Sequence, residues 1–142
     1  MNRPLTALAA IACLAITGCS EPAPTGKGVY MLLDTSGTYT LEIKKAQQII
    51  NVVLSRLNPG DSFAVARIDT GSFSEKDIVA KVTFDERPSI ANQQKRQFQT
   101  TIKRFVKNVR PASFTDITGG MLQAAEFLNE KNTGAKVILV FS

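Results

Sequence analysis

The chain has 142 residues, with 17 Lys and Arg against 12 Asp and Glu, a formal charge of +5, and no histidine. Its two cysteines, Cys13 and Cys19, both lie near the amino terminus. For anything built from residues beyond Cys19, this composition excludes disulfides, His-based triads, His general bases and the usual Cys/His zinc sites. A metal site there must use oxygen ligands, which favours Mg²⁺, Ca²⁺ or Mn²⁺.

The chain opens with a short positive segment carrying Arg3, then an uncharged apolar run from Leu5 to Ile16, then the small residues Thr17 and Gly18 before Cys19. That is the layout of a secretion signal. The apolar run is too short to cross a bilayer as a mature helix, which needs about 20 apolar residues. The tetrad Ile16-Thr17-Gly18-Cys19 resembles the bacterial lipobox. The resemblance implies cleavage before Cys19, acylation of its thiol and new amine, and a membrane-anchored protein outside the cytoplasm. More than one buried acyl chain makes such an anchor stable. In a Gram-negative host, Ser20 fits the default pattern for the outer membrane, facing the periplasm. Residues 1–18 are thus read as the signal peptide. Residues 19–28, rich in Pro, Gly and small polar side chains, are read as the lipidated Cys19 and a flexible tether. Without Arg3 the side chains of the processed chain carry 16 − 12 = +4.

Residues 29–142 are enough for one domain. Val29–Leu33 is wholly apolar and predicts a strand buried on both faces, as in a parallel sheet covered by helices. A helix follows from about Leu41 to Leu57, with Ala46, Ile49, Ile50, Val53 and Leu57 on its inner stripe and Asn58-Pro59-Gly60 as its stop. Ser62–Ile68 is a second strand. Ile78–Phe84 is a third, with Ile78, Ala80, Val82 and Phe84 alternating against Lys81 and Thr83. That alternation and the short connection predict an antiparallel edge strand. Pro88-Ser89 opens a second helix, with Ser89 as N-cap and Phe98, Ile102, Phe105, Val106 and Val109 as its apolar stripe. A third helix starts at Phe114-Thr115-Asp116, with Ile117, Met121, Leu122, Ala125 and Leu128 inward. Val137–Phe141 is a fourth, wholly apolar strand. The order β-α-β-β-α-α-β predicts an α/β fold, an open, doubly wound, mostly parallel sheet with one antiparallel edge strand. The cations Lys95, Arg96, Lys103, Arg104, Lys107 and Arg110 read as a solvated helix face that could also meet anionic lipid or an acidic partner. Nothing beyond charge points to nucleic acid.

Ligands of open α/β sheets bind at the carboxyl ends of the strands. There the sequence offers Asp34, Ser36 and Thr38 directly after the first strand, and Thr115 just before the third helix, one carboxylate and three hydroxyls suited to a hard cation. Asp34-Thr-Ser-Gly-Thr38 resembles the Asp-x-Ser-x-Ser/Thr motif of von Willebrand factor type A domains, their metal-ion-dependent adhesion site. Asn58–Val65, Phe114–Leu122 and Lys136–Ser142 resemble further segments of that family in the same order. The resemblance implies that Asp34, Ser36, Thr38 and Thr115 hold Mg²⁺, Mn²⁺ or Ca²⁺, and that a partner protein supplies an acidic residue as the last ligand. It implies adhesion through a bridging metal and no catalysis. Thr118 is a weaker candidate for the last hydroxyl, because it lies inside the helix.

The family carries a second acidic residue immediately after its fourth strand, followed by two more strands with their helices. This chain ends at Ser142, so it is read as truncated after the fourth strand, a partial domain that binds metal weakly or not at all and folds poorly in isolation. Two alternatives compete. A haloacid-dehalogenase-like phosphatase has Asp-x-Asp-Gly-Thr after its first strand, but here Ser36 replaces the second Asp, and serine is no general acid or base near neutral pH. A metal-free structural lipoprotein would use the α/β domain as a scaffold alone.

Overall fold

The seven residues Lys27–Leu33 form the central strand β1, and every residue from Gly28 onward in it is buried. The computed structural model describes residues 23–37, 42–68 and 74–142. The remaining elements are helix α1 (Ile43–Arg56), β2 (Ser62–Arg67), a 3₁₀ turn (Glu75–Asp77), β3 (Ile78–Thr83), α2 (Pro88–Asn108), α3 (Ile117–Asn129) and β4 (Ala135–Phe141). The signal segment 1–18, Cys19 and Thr38 lie outside the described residues.

The sheet order is β3-β2-β1-β4. β1 pairs in parallel with β2 and β4, while β2 and β3 are antiparallel. The fold is thus α/β with an open, mostly parallel sheet and one antiparallel edge strand, compatible with a Rossmann-like architecture. Because side chains alternate along a strand, β1 feeds two cores. Val29, Met31 and Leu33 join Phe63 and Val65 of β2 beneath α1 and α2. Tyr30 and Leu32 join Ala64 and Ala66 beneath Ala124, Phe127 and Leu128 of α3. The continuous apolar run of β1 therefore has a direct cause, a helical layer on each face.

The turn into β2 is organised by Asp61. Its buried carboxylate accepts the backbone N–H of Asn58 at 2.7 Å and that of Lys27 at 2.7 Å. Gly60 turns the chain at φ 84°, where a side chain would be strained. β1 therefore begins at Lys27, inside the stretch read as tether, and the Gly26 carbonyl accepts the N–H groups of Gly134 at 2.9 Å and Ala135 at 3.3 Å.

Four readings of the helices and the edge strand need correction. In α1 the buried stripe is Ile43, Ala46, Ile50 and Leu54, while Ile49 is exposed. In α2 the N-cap position is Arg87 with no side-chain cap, Pro88 occupies the first turn, and Ser89 is already helical. Proline suits that place because its missing N–H would be unpaired there anyway. In β3 the register shifts opposite Val65 and Ala66, so that Val65 faces Ala80 and Ala66 faces Ile78. The extra residue, Val79, breaks the alternation. Ile78 consequently packs with the α3-side core, whereas Ala80 and Val82 join the α1/α2 side.

The largest correction is the face of α3. Its buried residues are Gly119, Gly120, Gln123, Ala124, Phe127 and Leu128. Ile117, Met121 and Ala125 are exposed, and Leu122 is 61% exposed. This helix is apolar nearly all round, so periodicity alone does not choose a face. The small residues Gly119, Gly120 and Ala124 choose it by letting the helix approach the sheet. Val137 and Val140 on β4 are exposed as well, which leaves apolar surface at this end of the sheet.

One polar line crosses the α3-side core. The Tyr30 hydroxyl donates to Gln123 Oε1 at 2.8 Å, and Gln123 Nε2 donates to the Ser74 carbonyl at 3.0 Å. Burial, helped by the nearby Asp77 carboxylate, pushes the Tyr30 phenol well above its ordinary value, so it stays protonated as the donor. Tyr30→Phe keeps the ring, which meets Phe127 edge-on at 5.4 Å, but strands a buried amide oxygen. The expected loss is about 1–3 kcal/mol, read as a lower urea midpoint with unchanged slope.

Candidate functional site

β1 delivers Asp34 to the carboxyl end of the sheet, where it is 6% exposed. Its backbone N–H donates to the Phe141 carbonyl of β4 at 2.9 Å, and the Ile68 N–H, past the end of β2, donates to the Leu33 carbonyl at 3.1 Å. The ends of three parallel strands therefore meet around one carboxylate. That position is the usual ligand-binding edge of an open α/β sheet.

Two donors reach the Asp34 carboxylate. The Ser36 backbone N–H bonds Oδ1 at 2.8 Å, closing a tight turn after the strand. The Thr115 hydroxyl bonds the same oxygen at 3.2 Å from 81 positions further along the chain. Ser36 is half-buried and Thr115 exposed, so the group runs from a buried carboxylate outward to solvent. Gly37 follows at φ 51° with open space around it.

A second set of bonds puts Thr115 in place. The Ala112 N–H donates to the Thr35 carbonyl at 3.0 Å, and Ser36 and Ala112 form an isolated parallel bridge. The Asp116 N–H donates to the Ile68 carbonyl at 2.6 Å. The Asp116 side chain then caps α3 by accepting the Gly119 N–H at 2.8 Å. Asp116, which the sequence placed at the start of this helix without a role at the site, is its N-cap and holds Thr115 in position. Thr118 is exposed in the first turn of α3, and among the described residues no bond joins it to Asp34.

Three of the four residues expected at the site are thus described. Asp34 and Thr115 bond directly, Ser36 joins through its backbone, and Thr38 lies outside the described residues. The donors are one carboxylate and neutral hydroxyls. Among the described residues there is no group of three or more His, Cys, Asp or Glu that could hold a metal ion, so a cation at this edge would depend on hydroxyl oxygens. These are the hard donors that Mg²⁺, Mn²⁺ and Ca²⁺ accept. The sequence matches no protein-family model and no curated protein.

Gly120 couples this site to the core. A Cβ there would lie 2.5 Å from Ile68 Cγ2 and 3.1 Å from Leu32 Cδ2. Gly120→Ala is expected to push the start of α3 off the sheet, costing about 1–3 kcal/mol and lengthening the Thr115–Asp34 bond. Hydrogen exchange at the Gly119 and Asp116 amides should rise in this variant while exchange in α2 is unchanged. Unchanged protection at both amides would contradict this account.

Proposed function

We propose that the chain is a membrane-anchored, extracytoplasmic protein-binding module of the von Willebrand factor type A kind. In this reading it engages an acidic residue of a partner protein through a divalent cation. The observation that carries the reading is the Thr115–Asp34 hydrogen bond of 3.2 Å, which joins two segments 81 residues apart at the carboxyl edge of the sheet. The sequence motif needs that juxtaposition, and turn chemistry around Asp34 alone does not require it. Asp34, Ser36, Thr115 and Thr38 would hold the cation. Bound there by few negative charges, it supplies an electrophilic position that a carboxylate from outside can fill. Asp34 provides the charge, the hydroxyls orient and shield, and Asp116 and the Ala112–Thr35 pair hold the two segments together.

The proposal is tested by the thermal melt of the chain without its signal, in EDTA and in excess Mg²⁺ or Mn²⁺. A ligand that binds only the folded state at tenfold excess over Kd stabilises by about 1.4 kcal/mol. At metal concentrations high enough to fill a weak site, the expected outcome is a rise in melting temperature, lost in Asp34→Ala and reduced in Thr115→Val. Because Asp34→Ala removes a nearly buried carboxylate, Ser36→Ala serves as a second variant with the carboxylate intact. An identical melt with and without metal sinks the cation reading and leaves the metal-free scaffold.

The anchor is tested separately. In bacterial cells expressing the full chain, labelled palmitate should enter the protein and the protein should sediment with membranes. Cys19→Ser should abolish both. Equal labelling of wild type and variant would remove the lipoprotein assignment.

A further inference from the structure

A groove of about 480 Å³ runs between the carboxyl half of α2 and the β3 edge of the sheet. Val79, Phe105 and Val109 line it, each packed on one side against the core. Four cations line it too, Arg67, Lys76, Arg104 and Arg110. They come from separate elements: the end of β2, the 3₁₀ turn, α2 and the segment just after α2.

Helix chemistry explains only part of this gathering. Cations in the last turn of a helix interact favourably with its dipole, which accounts for Lys107. It gives no reason for Lys76 to face the same groove. Neighbouring acids neutralise only part of the cluster. From Arg87 to Thr115 the chain has seven Lys and Arg and no Asp or Glu. Asp77, 3.7 Å from Arg67, compensates that one cation, and Glu75 pairs with Lys81 at 2.9 Å, which leaves Lys76, Arg104 and Arg110 as the cations that an incoming anion would meet. Like charges held together around a recess repel, and an anion entering it relieves that repulsion.

The groove also has a place relative to Asp34. Arg110 is two residues before Ala112, which bridges to Ser36. Arg67 is at the same carboxyl end of the sheet, opposite Leu33 in register. Both residues place part of the groove at the carboxyl end of the sheet, the end that carries Asp34.

We propose that this groove binds an extended acidic peptide segment of the partner protein, with an apolar side chain against Phe105 and Val109 and carboxylates against Lys76, Arg104 and Arg110. The inference extends the protein-binding reading of the Asp34 edge by naming the chemistry of the partner's flanking sequence. A recess with an apolar lining suits a side chain, whereas a flat anionic bilayer would press on the convex outer face of α2.

The test is fluorescence anisotropy of a labelled peptide, Glu-Glu-Leu-Glu-Glu-Phe, titrated with the chain lacking its signal. In EDTA the titration reads the groove alone. Arg104→Glu with Arg110→Glu is expected to weaken binding about tenfold or more, and Lys76→Glu alone to weaken it by a smaller factor. Lys103→Glu with Lys107→Glu makes the same charge change on the same helix outside the groove and is expected to alter binding far less. If both double variants lose equally, the attraction is diffuse and the proposal is overturned. Capture of phosphatidylglycerol vesicles without peptide binding overturns it in favour of a membrane surface. Lys76→Glu, on an exposed residue outside α2, keeps the test valid should the double variant melt. Added Mg²⁺ then reads the other site: a gain in affinity absent in Asp34→Ala belongs to the cation, so either reading can fail while the other stands.

Discussion

A nearly buried carboxylate has to be hydrogen-bonded, and Asp34 is such a group at the end of the most buried strand in the molecule. Strand β1 has helices on both faces and a strand on each side, so the residue that directly follows it cannot turn to solvent without pulling away from the sheet. The partners must come to it. One arrives at once, through the Ser36 N–H of the turn that follows. The other is Thr115, and bringing it there requires the whole segment after α2 to cross the carboxyl edge of the sheet. The bonds from Ala112 to Thr35 and from Asp116 to Ile68 fix that crossing on the ends of β1 and β2. α3 therefore starts where it does because of Asp34 and the strand ends around it. Gly120 then lets the helix close on Leu32 and Ile68.

Much of this architecture was legible in the sequence, for a physical reason. A strand buried on both faces admits few polar residues, so Val29–Leu33 announced itself as an apolar run; Val137–Phe141 read the same way, although at the edge of the sheet it is only partly covered. The turn at Asn58-Pro59-Gly60 and the edge character of β3 were readable from local chemistry, and the structure bears out the element order and the α/β class. What escaped was whatever depends on a neighbour's shape. Helix α3 carries apolar residues on more than one face, and the choice between them rests on which side can approach the sheet. Small residues made that choice, against the larger side chains that periodicity favoured. The bulge at Val79 is invisible in a sequence that alternates on either side of it. Ile49 failed for a similar reason, since Leu54 and Ile43 complete a stripe that covers β1 without it.

The site was legible in residue type and hardly at all in geometry. Asp, Ser and Thr after a strand suit a turn as well as a cation, and no spacing rule links Asp34 to a threonine 81 residues away. The resemblance to a family supplied that pairing as an expectation, and the distance between Thr115 and Asp34 is what the structure adds. The cations of α2 show the opposite balance. Their charge was plain in the sequence, but their division of labour was not. Lys95 donates to the Leu57 carbonyl and lies 5.6 Å from the centre of the Phe84 ring, tying α2 to the end of α1 and of β3. Arg104 and Arg110 join Lys76 and Arg67 around a groove, which only the fold reveals.

If both proposed sites exist, charge would couple them. A divalent cation at Asp34 would sit at the same end of the sheet as a cluster of Lys and Arg, and like charges at that range oppose each other unless salt screens them. Hydroxyl ligands do nothing to offset this, since they carry no charge. Cation affinity in the free protein would thereby be lowered by the same groups that would attract an acidic partner. Once an acidic segment lies in the groove, its carboxylates cancel the repulsion and one of them is available to the metal. Cation and partner must then raise each other's affinity by the same factor, because coupling between two binding equilibria is reciprocal. On the two proposals taken together, the basic groove would turn a weak metal site into one that fills when the right partner is present, and specificity would lie in acidic sequence around the contacting residue as much as in that residue itself.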